Sequence, residues 1–125
     1  MSKTIIITGA GSGIGAATAR TFLDEGFQVG LIGRHAKTLE GTARGNKNAL
    51  VLPCDVSNPD SVERVFAVAK KKWGRLDVLF NNAGIGSFSN TIDEIPIQNL
   101  IITNKPSPEG WADVIKMALV KINKN

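Results

Sequence analysis

The chain has 125 residues, enough for one ordinary domain with a sizeable buried core. Its 42% hydrophobic and 21% charged residues exclude a disordered chain, and its longest apolar runs are too short to span a bilayer, so we expect no membrane partner. The net charge of +4 comes from scattered lysines without interleaved aromatic residues, which predicts a solvated surface and no nucleic-acid partner, and the single cysteine, Cys54, suits a cytoplasmic location.

The first half of the chain alternates between apolar runs and amphipathic segments. A buried strand is predicted at Thr4–Thr8, and a helix from about Ser12 to Glu25 ends where Gly26 offers a left-handed cap. A second strand at Gln28–Ile32 precedes a weaker helix at Ala36–Arg44.

The second half continues the alternation. A strand at Ala49–Cys54 precedes a helix that Asn58 caps, with a proline in its first position and apolar residues on one face as far as Trp73. Further strands are predicted at Asp77–Phe80 and Asn99–Thr103, and an amphipathic helix from 107 to 122 closes the chain.

This alternation predicts the fold class. Strands rich in isoleucine, valine and leucine, separated by helices, indicate a three-layer α/β/α sandwich with a five-stranded parallel sheet, Rossmann-like or flavodoxin-like. No linker or internal repeat interrupts the pattern, so residues 1–125 are interpreted as a single domain.

A glycine-rich turn joins the first strand to the first helix. Gly9 allows a sharp exit from the strand, Gly13 lets a pyrophosphate approach the backbone, and Gly15 lets helix and sheet pack closely. The free N–H groups and the positive dipole at the helix start then face the phosphates. The alternative is a turn without a ligand.

Three motifs in order carry a family resemblance. "TGAGSGIG" at 8–15, "CDVSN" at 54–58 and "NNAG" at 81–84 resemble the short-chain dehydrogenase/reductase family over residues 1 to about 97. The resemblance implies a dinucleotide-binding part at 1–97, with the coenzyme as partner. The residues that it implies are Thr8, Gly9, Gly13, Ile14 and Gly15 in the coenzyme loop, Asp55 and Val56 beside the adenine, and Asn82, Ala83 and Gly84 near the riboses.

Two of these positions can be weighed from the residues alone. Asp55 follows the third strand, at the edge where open α/β sheets bind ligands; its other interpretation is a cap of the turn before the next helix, and the two roles can coexist. Arg34 in "LIGRHAK" stands where dinucleotide folds that select NAD carry an acid, and a guanidinium there suits a 2′-phosphate, as in NADP. Arg34 as an ordinary surface residue is the alternative, and we interpret His35 as a bystander.

The resemblance does not extend to the catalytic residues of the family. The family uses a serine, a tyrosine and a lysine well beyond "NNAG"; too few residues follow Gly84 to hold them, and the chain contains no tyrosine. Residues 98–125 form a predicted closing strand and helix that resemble the end of a flavodoxin-like or uroporphyrinogen-III synthase domain. We therefore expect an engineered chimera or, second, a natural truncated homologue.

Three functional hypotheses follow. The first is a Rossmann-type module without catalytic residues or a metal site, which binds NADP(H) weakly. The second is a working NADP-dependent oxidoreductase of the family, which the missing tyrosine argues against. The third is a receiver-like phosphoacceptor domain with Asp55 and Lys105, although Thr8 and Gly9 stand where a receiver needs an acidic pair. Because four of the five strands carry the family's motifs, we predict the strand order 3-2-1-4-5 rather than the flavodoxin-like 2-1-3-4-5.

Overall fold

The computed structural model describes residues 3–55, 58–80 and 100–102. The strands within these ranges are β1 (Thr4–Thr8), β2 (Gln28–Gly33), β3 (Ala49–Pro53), β4 (Val78–Phe80) and β5 (Leu100–Ile102). The helices within them are α1 (Gly13–Asp24), α2 (Ala36–Ala43) and α3 (Pro59–Trp73). The ends of β1–β4 and of the three helices agree with the predicted ones to within one residue. The predicted closing helix lies outside the described residues.

The strands form one sheet in the order β3-β2-β1-β4-β5. β1 is paired in parallel with β2 on one side and with β4 on the other, and β2 is paired in parallel with β3. This confirms the predicted order and the α/β class. A flavodoxin-like sheet would place β3 beside β1, and here β2 separates them.

The prediction of a fully parallel sheet is wrong at its last strand. β5 runs antiparallel to β4, with Val78 opposite Ile102 and Phe80 opposite Leu100. A short run of leucine and isoleucine predicts a strand but not its direction, because parallel and antiparallel ladders both satisfy the backbone. An antiparallel edge strand on an otherwise parallel sheet is common in α/β folds.

Helices cover both faces of the sheet. Consecutive residues of β1 point to opposite faces, so Ile5 and Ile7 pack in one core and Ile6 in the other. The first core also contains Leu23 of α1 and Leu39 of α2, and the second contains apolar residues of α3. This confirms the three-layer sandwich and explains why β1 has no polar alternation. No helix in the described ranges has the length and apolar character needed to cross a membrane.

Candidate functional site

The carboxyl ends of β1, β2 and β3 lie side by side at one end of the strands, here called the carboxyl edge of the sheet. Beyond the ladder, the Ala10 N–H donates to the Ile32 carbonyl at 3.0 Å, and the Cys54 N–H donates to the Gly33 carbonyl at 2.7 Å. These bonds keep the chain segments together as they leave the strands. The structure therefore brings the glycine-rich turn, Arg34 and the residue after Cys54 to the same edge.

Residues 9–13 form a turn, here called the glycine loop, whose backbone requires glycine at both ends. Gly9 has a φ of +67° and Gly13 a φ of +58°, in the left-handed region that side chains disfavour. A Cβ added to Gly13 would meet no atom of the described residues within 4 Å. Gly15 is buried in the first turn of α1, whereas Ile14 is only partly buried. The loop therefore has open space over Gly13.

The start of α1 lacks the side-chain cap that α3 has. Asn58 Oδ1 accepts hydrogen bonds from the Asp60 and Ser61 N–H groups at 3.0 and 3.3 Å, and Asp60 adds negative charge to the first turn of α3. At α1, Ser12 makes no side-chain capping bond, and the first turn has no acidic residue. Because uncapped helix N-termini attract anions, this end of α1 suits a phosphate group.

Two threonines of α2 support the glycine loop from below. Thr42 Oγ1 donates to the Ala10 carbonyl at 2.8 Å in a buried hydrogen bond. A Cβ added to Gly11 would lie 2.7 Å from Thr38 Oγ1, so the loop backbone passes directly over Thr38. The sequence analysis missed both threonines and Gly11. Their i, i+4 spacing places Thr38 and Thr42 on one face of a helix, next to the apolar Leu39, and this pattern could have indicated that they face the protein.

A positively charged segment follows β2. Arg34, His35 and Lys37 are exposed, and no acidic residue occurs between Gly33 and Leu39. His35 is the N-cap residue of α2 without a side-chain capping bond, and its carbonyl accepts from Thr38 Oγ1 at 2.9 Å. Arg34 follows β2 at the same edge of the sheet as the glycine loop, and its contact with a 2′-phosphate stays a prediction.

Cys54 and Asp55 follow β3 and lie in different environments. Cys54 is buried in the core under α3, and its Sγ accepts from Ser61 Oγ at 3.4 Å. Burial raises the pKa of the Cys54 thiol and outweighs the hydrogen bond from Ser61, which lowers it; the charges of Asp55 and Arg64 have smaller effects of opposite sign. The thiol is therefore a packing group, as expected. Asp55 is exposed, and its carbonyl accepts from the Asn58 N–H at 3.0 Å.

Four predicted coenzyme contacts, Val56, Asn82, Ala83 and Gly84, lie outside the described residues, as does Lys105 of the receiver hypothesis. The strand order weighs against that hypothesis, because it is not the flavodoxin-like order. Within the described ranges, no three His, Cys, Asp or Glu side chains form a group that could hold a metal ion.

Residues 3–118 match the family model described as short chain dehydrogenase. This range extends past residue 97, where the sequence analysis ended the resemblance, and includes most of the segment 98–125. A separate origin of that segment, as in a chimera, has no support in the match.

Three relatives illustrate the similarity. The chain is 39% identical over 97 residues to a 3beta-hydroxysteroid dehydrogenase of Mediterraneibacter gnavus, an alignment that covers 74% of this chain and 35% of the relative. The 3-ketoacyl-(acyl-carrier-protein) reductase of Brucella melitensis, solved with NADH, superposes with a TM-score of 0.66 at 28% identity, over 98% of this chain and 47% of that one. L-Sorbose reductase of Gluconobacter frateurii, solved with NADPH and L-sorbose, gives 0.65 at 31% identity, over 98% and 45%. The chain thus spans between a third and a half of the length of these relatives.

Proposed function

Because the chain belongs to the short-chain dehydrogenase family, we propose that its glycine loop binds the diphosphate of a nicotinamide dinucleotide. The observation that carries the proposal is the uncapped start of α1 beside the open space over Gly13. N–H groups at a helix start, approached over a glycine, are the elements that bind pyrophosphate in dinucleotide folds. The coenzyme, when bound, supplies a hydride.

We take the remaining contacts from the family resemblance. Thr8 and Gly9 lead the loop out of β1, and Asp55 with Val56 borders the adenine. Asn82, Ala83 and Gly84 follow β4, the strand beside β1, and approach the riboses.

The preferred coenzyme in this proposal is NADP(H). Relatives were solved with NADH and with NADPH, so the choice depends on this chain's own residues. Arg34 follows β2 where an NAD-selecting acid would stand, and a guanidinium there pairs with the 2′-phosphate. We expect weak binding, with a dissociation constant on the order of 10 μM to 1 mM, because the 125-residue chain lacks the rest of its relatives' length.

We further propose that the 125-residue chain binds the coenzyme without catalysing its oxidation. Carbonyl reduction needs a proton donor poised near the carbonyl oxygen, and the family uses a tyrosine. The sequence contains no tyrosine. The dehydrogenase and reductase activities of the relatives are therefore not assigned to this chain.

Calorimetric titration of the chain with NADPH and with NADH tests whether it binds a nicotinamide dinucleotide and which of the two it prefers. We expect NADPH to bind at least about tenfold more tightly, and Arg34→Ala to remove about 1.5–3 kcal/mol of NADPH binding while NADH binding stays unchanged. Arg44→Ala is the matched control, because Arg44 is an exposed arginine at the opposite end of α2. Equal affinity for both coenzymes, or no loss with Arg34→Ala, would contradict the role of Arg34.

The Gly13→Val variant tests the loop itself. The valine side chain occupies the space over the loop and disfavours the φ of +58°, so coenzyme binding should be abolished. The substitution should lower the free energy of unfolding by only about 1–2 kcal/mol, which is the cost of placing a residue with a side chain in the left-handed region. Circular dichroism verifies that the variant is folded before titration. A folded Gly13→Val variant with unchanged affinity would overturn the proposed site.

A further inference from the structure

We propose that Thr42 is a positioning residue, whose hydroxyl holds the glycine loop from α2 in the conformation that the coenzyme binds. The effect on affinity rests on the proposed coenzyme binding. The effect on the loop does not, and it can be measured without a ligand.

The central observation is a buried hydrogen bond across 32 residues of sequence. Thr42 is 2% exposed and Ala10 is fully buried, and the Thr42 hydroxyl lies 2.8 Å from the Ala10 carbonyl oxygen. The Ala10 N–H donates to the Ile32 carbonyl of β2 at 3.0 Å. Both polar backbone groups of Ala10 are thus bonded, one to the sheet and one to α2, so that Ala10 is held from two sides.

The hydroxyl has a second acceptor at a greater distance. Thr42 Oγ1 also lies 3.3 Å from the Thr38 carbonyl, one helical turn earlier. A hydroxyl has a single proton, and the shorter contact to Ala10 is the one buried in the protein. Loss of the hydroxyl therefore leaves the Ala10 carbonyl buried without this donor, whereas the helix itself needs no bond from Thr42.

Thr38 supports the next residue of the loop. Its Oγ1 donates to the His35 carbonyl at 2.9 Å, which fixes the side chain, and the backbone of Gly11 passes directly over it. Thr38 and Thr42 therefore form a small platform on α2 beneath Ala10 and Gly11. Because these residues lie between Gly9 and Gly13, their position determines where the N–H groups before α1 point.

Three variants separate the hydroxyl from the side-chain volume. Thr42→Val keeps the shape and removes the donor, and Thr42→Ser keeps the donor. Thr21→Val is the matched control, because Thr21 Oγ1 donates to the Ala17 carbonyl four residues earlier on an exposed face of α1. We expect Thr42→Val to weaken NADPH binding about tenfold, whereas Thr42→Ser and Thr21→Val stay within about twofold.

Amide hydrogen exchange of the full chain without coenzyme gives the second measurement. In Thr42→Val, the Ala10 amide, which donates to the Ile32 carbonyl, should exchange about tenfold faster, while Ile5–Ile7 of β1 keep their protection. Thr42→Ser should restore slow exchange of the Ala10 amide. If Thr42→Val does not fold, Thr42→Cys replaces it, because a thiol is a weak donor of similar volume.

The outcomes separate the two proposals. If the unmodified chain binds neither NADPH nor NADH, the proposed function fails, and the exchange measurement alone decides whether Thr42 holds the loop. Unchanged loop exchange in Thr42→Val overturns the inference. Uniformly faster exchange that Thr42→Ser does not restore also overturns it, since that result would indicate a general packing role.

Discussion

Asp77 joins the amino ends of β1 and β4 through contacts between residues 73 positions apart. Its Oδ2 accepts from the Thr4 N–H at 2.8 Å and from Arg75 Nε at 3.2 Å, and Thr4 Oγ1 donates to the Arg75 carbonyl at 2.9 Å. The carboxylate is mostly buried, with 16% of the side chain exposed. This network closes the end of the sheet opposite the candidate coenzyme site.

The network predicts a pH dependence of stability. Burial of Asp77 acts to raise its pKa, but the hydrogen bonds from Arg75 and Thr4 outweigh it, so the pKa lies below its usual value. A carboxyl with a lowered pKa in the folded protein stabilises the fold fully above its unfolded pKa, near 4. This stabilisation should be lost as the pH falls through the folded pKa.

Urea denaturation of Asp77→Asn at a series of pH values between neutral and acid measures this contribution. We expect the variant to lose about 1–2 kcal/mol of unfolding free energy at neutral pH, and less as the pH falls. Asp24→Asn, at an exposed site on α1, serves as the control. Parallel stability curves for Asp77→Asn and the unmodified protein would contradict the role of the carboxylate.

Among the elements, α2 supports the glycine loop although it is a short helix with low intrinsic stability. It has eight residues, and Gly41 lies in its interior on an exposed face. Isolated helices of this length are unstable in water, so α2 depends on its packing through Leu39 and Ala43. The glycine adds backbone entropy that folding must overcome.

We predict that Gly41→Ala stabilises the protein by about 0.5–1 kcal/mol, because alanine favours the helix. The added Cβ meets no described atom within 4 Å. Gly11→Ala is the matched control and should destabilise the protein, because its Cβ would lie 2.7 Å from Thr38 Oγ1. Thermal unfolding followed by circular dichroism compares the two. An unchanged or lower melting temperature for Gly41→Ala would show that α2 is not limited by this glycine.

In the molecule as a whole, the described part of the proposed coenzyme site lies at the carboxyl ends of the parallel strands. The glycine loop, Arg34 and Asp55 lie at one edge of the sheet, and β1 lies at its centre. The family match covers residues 3–118, yet the chain spans 35% of a curated relative's length. Coenzyme binding by this chain therefore does not imply turnover.

We predict that the 125-residue chain does not turn over substrate, because no tyrosine is present to act as proton donor. The measurement is NADPH oxidation, followed by absorbance, with a panel of aldehydes, ketones and quinones at high protein concentration. Bound coenzyme alone gives at most very slow hydride transfer through proximity. Turnover that survives repurification and disappears in Gly13→Val would falsify this prediction.

The elements that depend on local patterns could be predicted from the residues alone. Buried apolar runs predicted β1–β4 to within one residue, and Asn58 with Pro59 predicted the start of α3, where the Asn58 side chain makes the capping bonds. The positive φ of Gly9 and Gly26 agrees with their predicted roles in a sharp turn and a helix end. These features follow from backbone preferences and from hydrophobic periodicity, which act over a few residues.

The features that join distant segments of the chain could not be predicted in this way and are seen first in the folded protein. The reversed direction of β5, the Thr42 bond to Ala10 and the Asp77 bond to Thr4 pair residues between 20 and 73 positions apart. No local pattern encodes such a partner, because a threonine hydroxyl or a short apolar strand can satisfy its bonds in several ways. The partner is selected when the helices and strands pack against one another, and the support of the glycine loop arises at that stage.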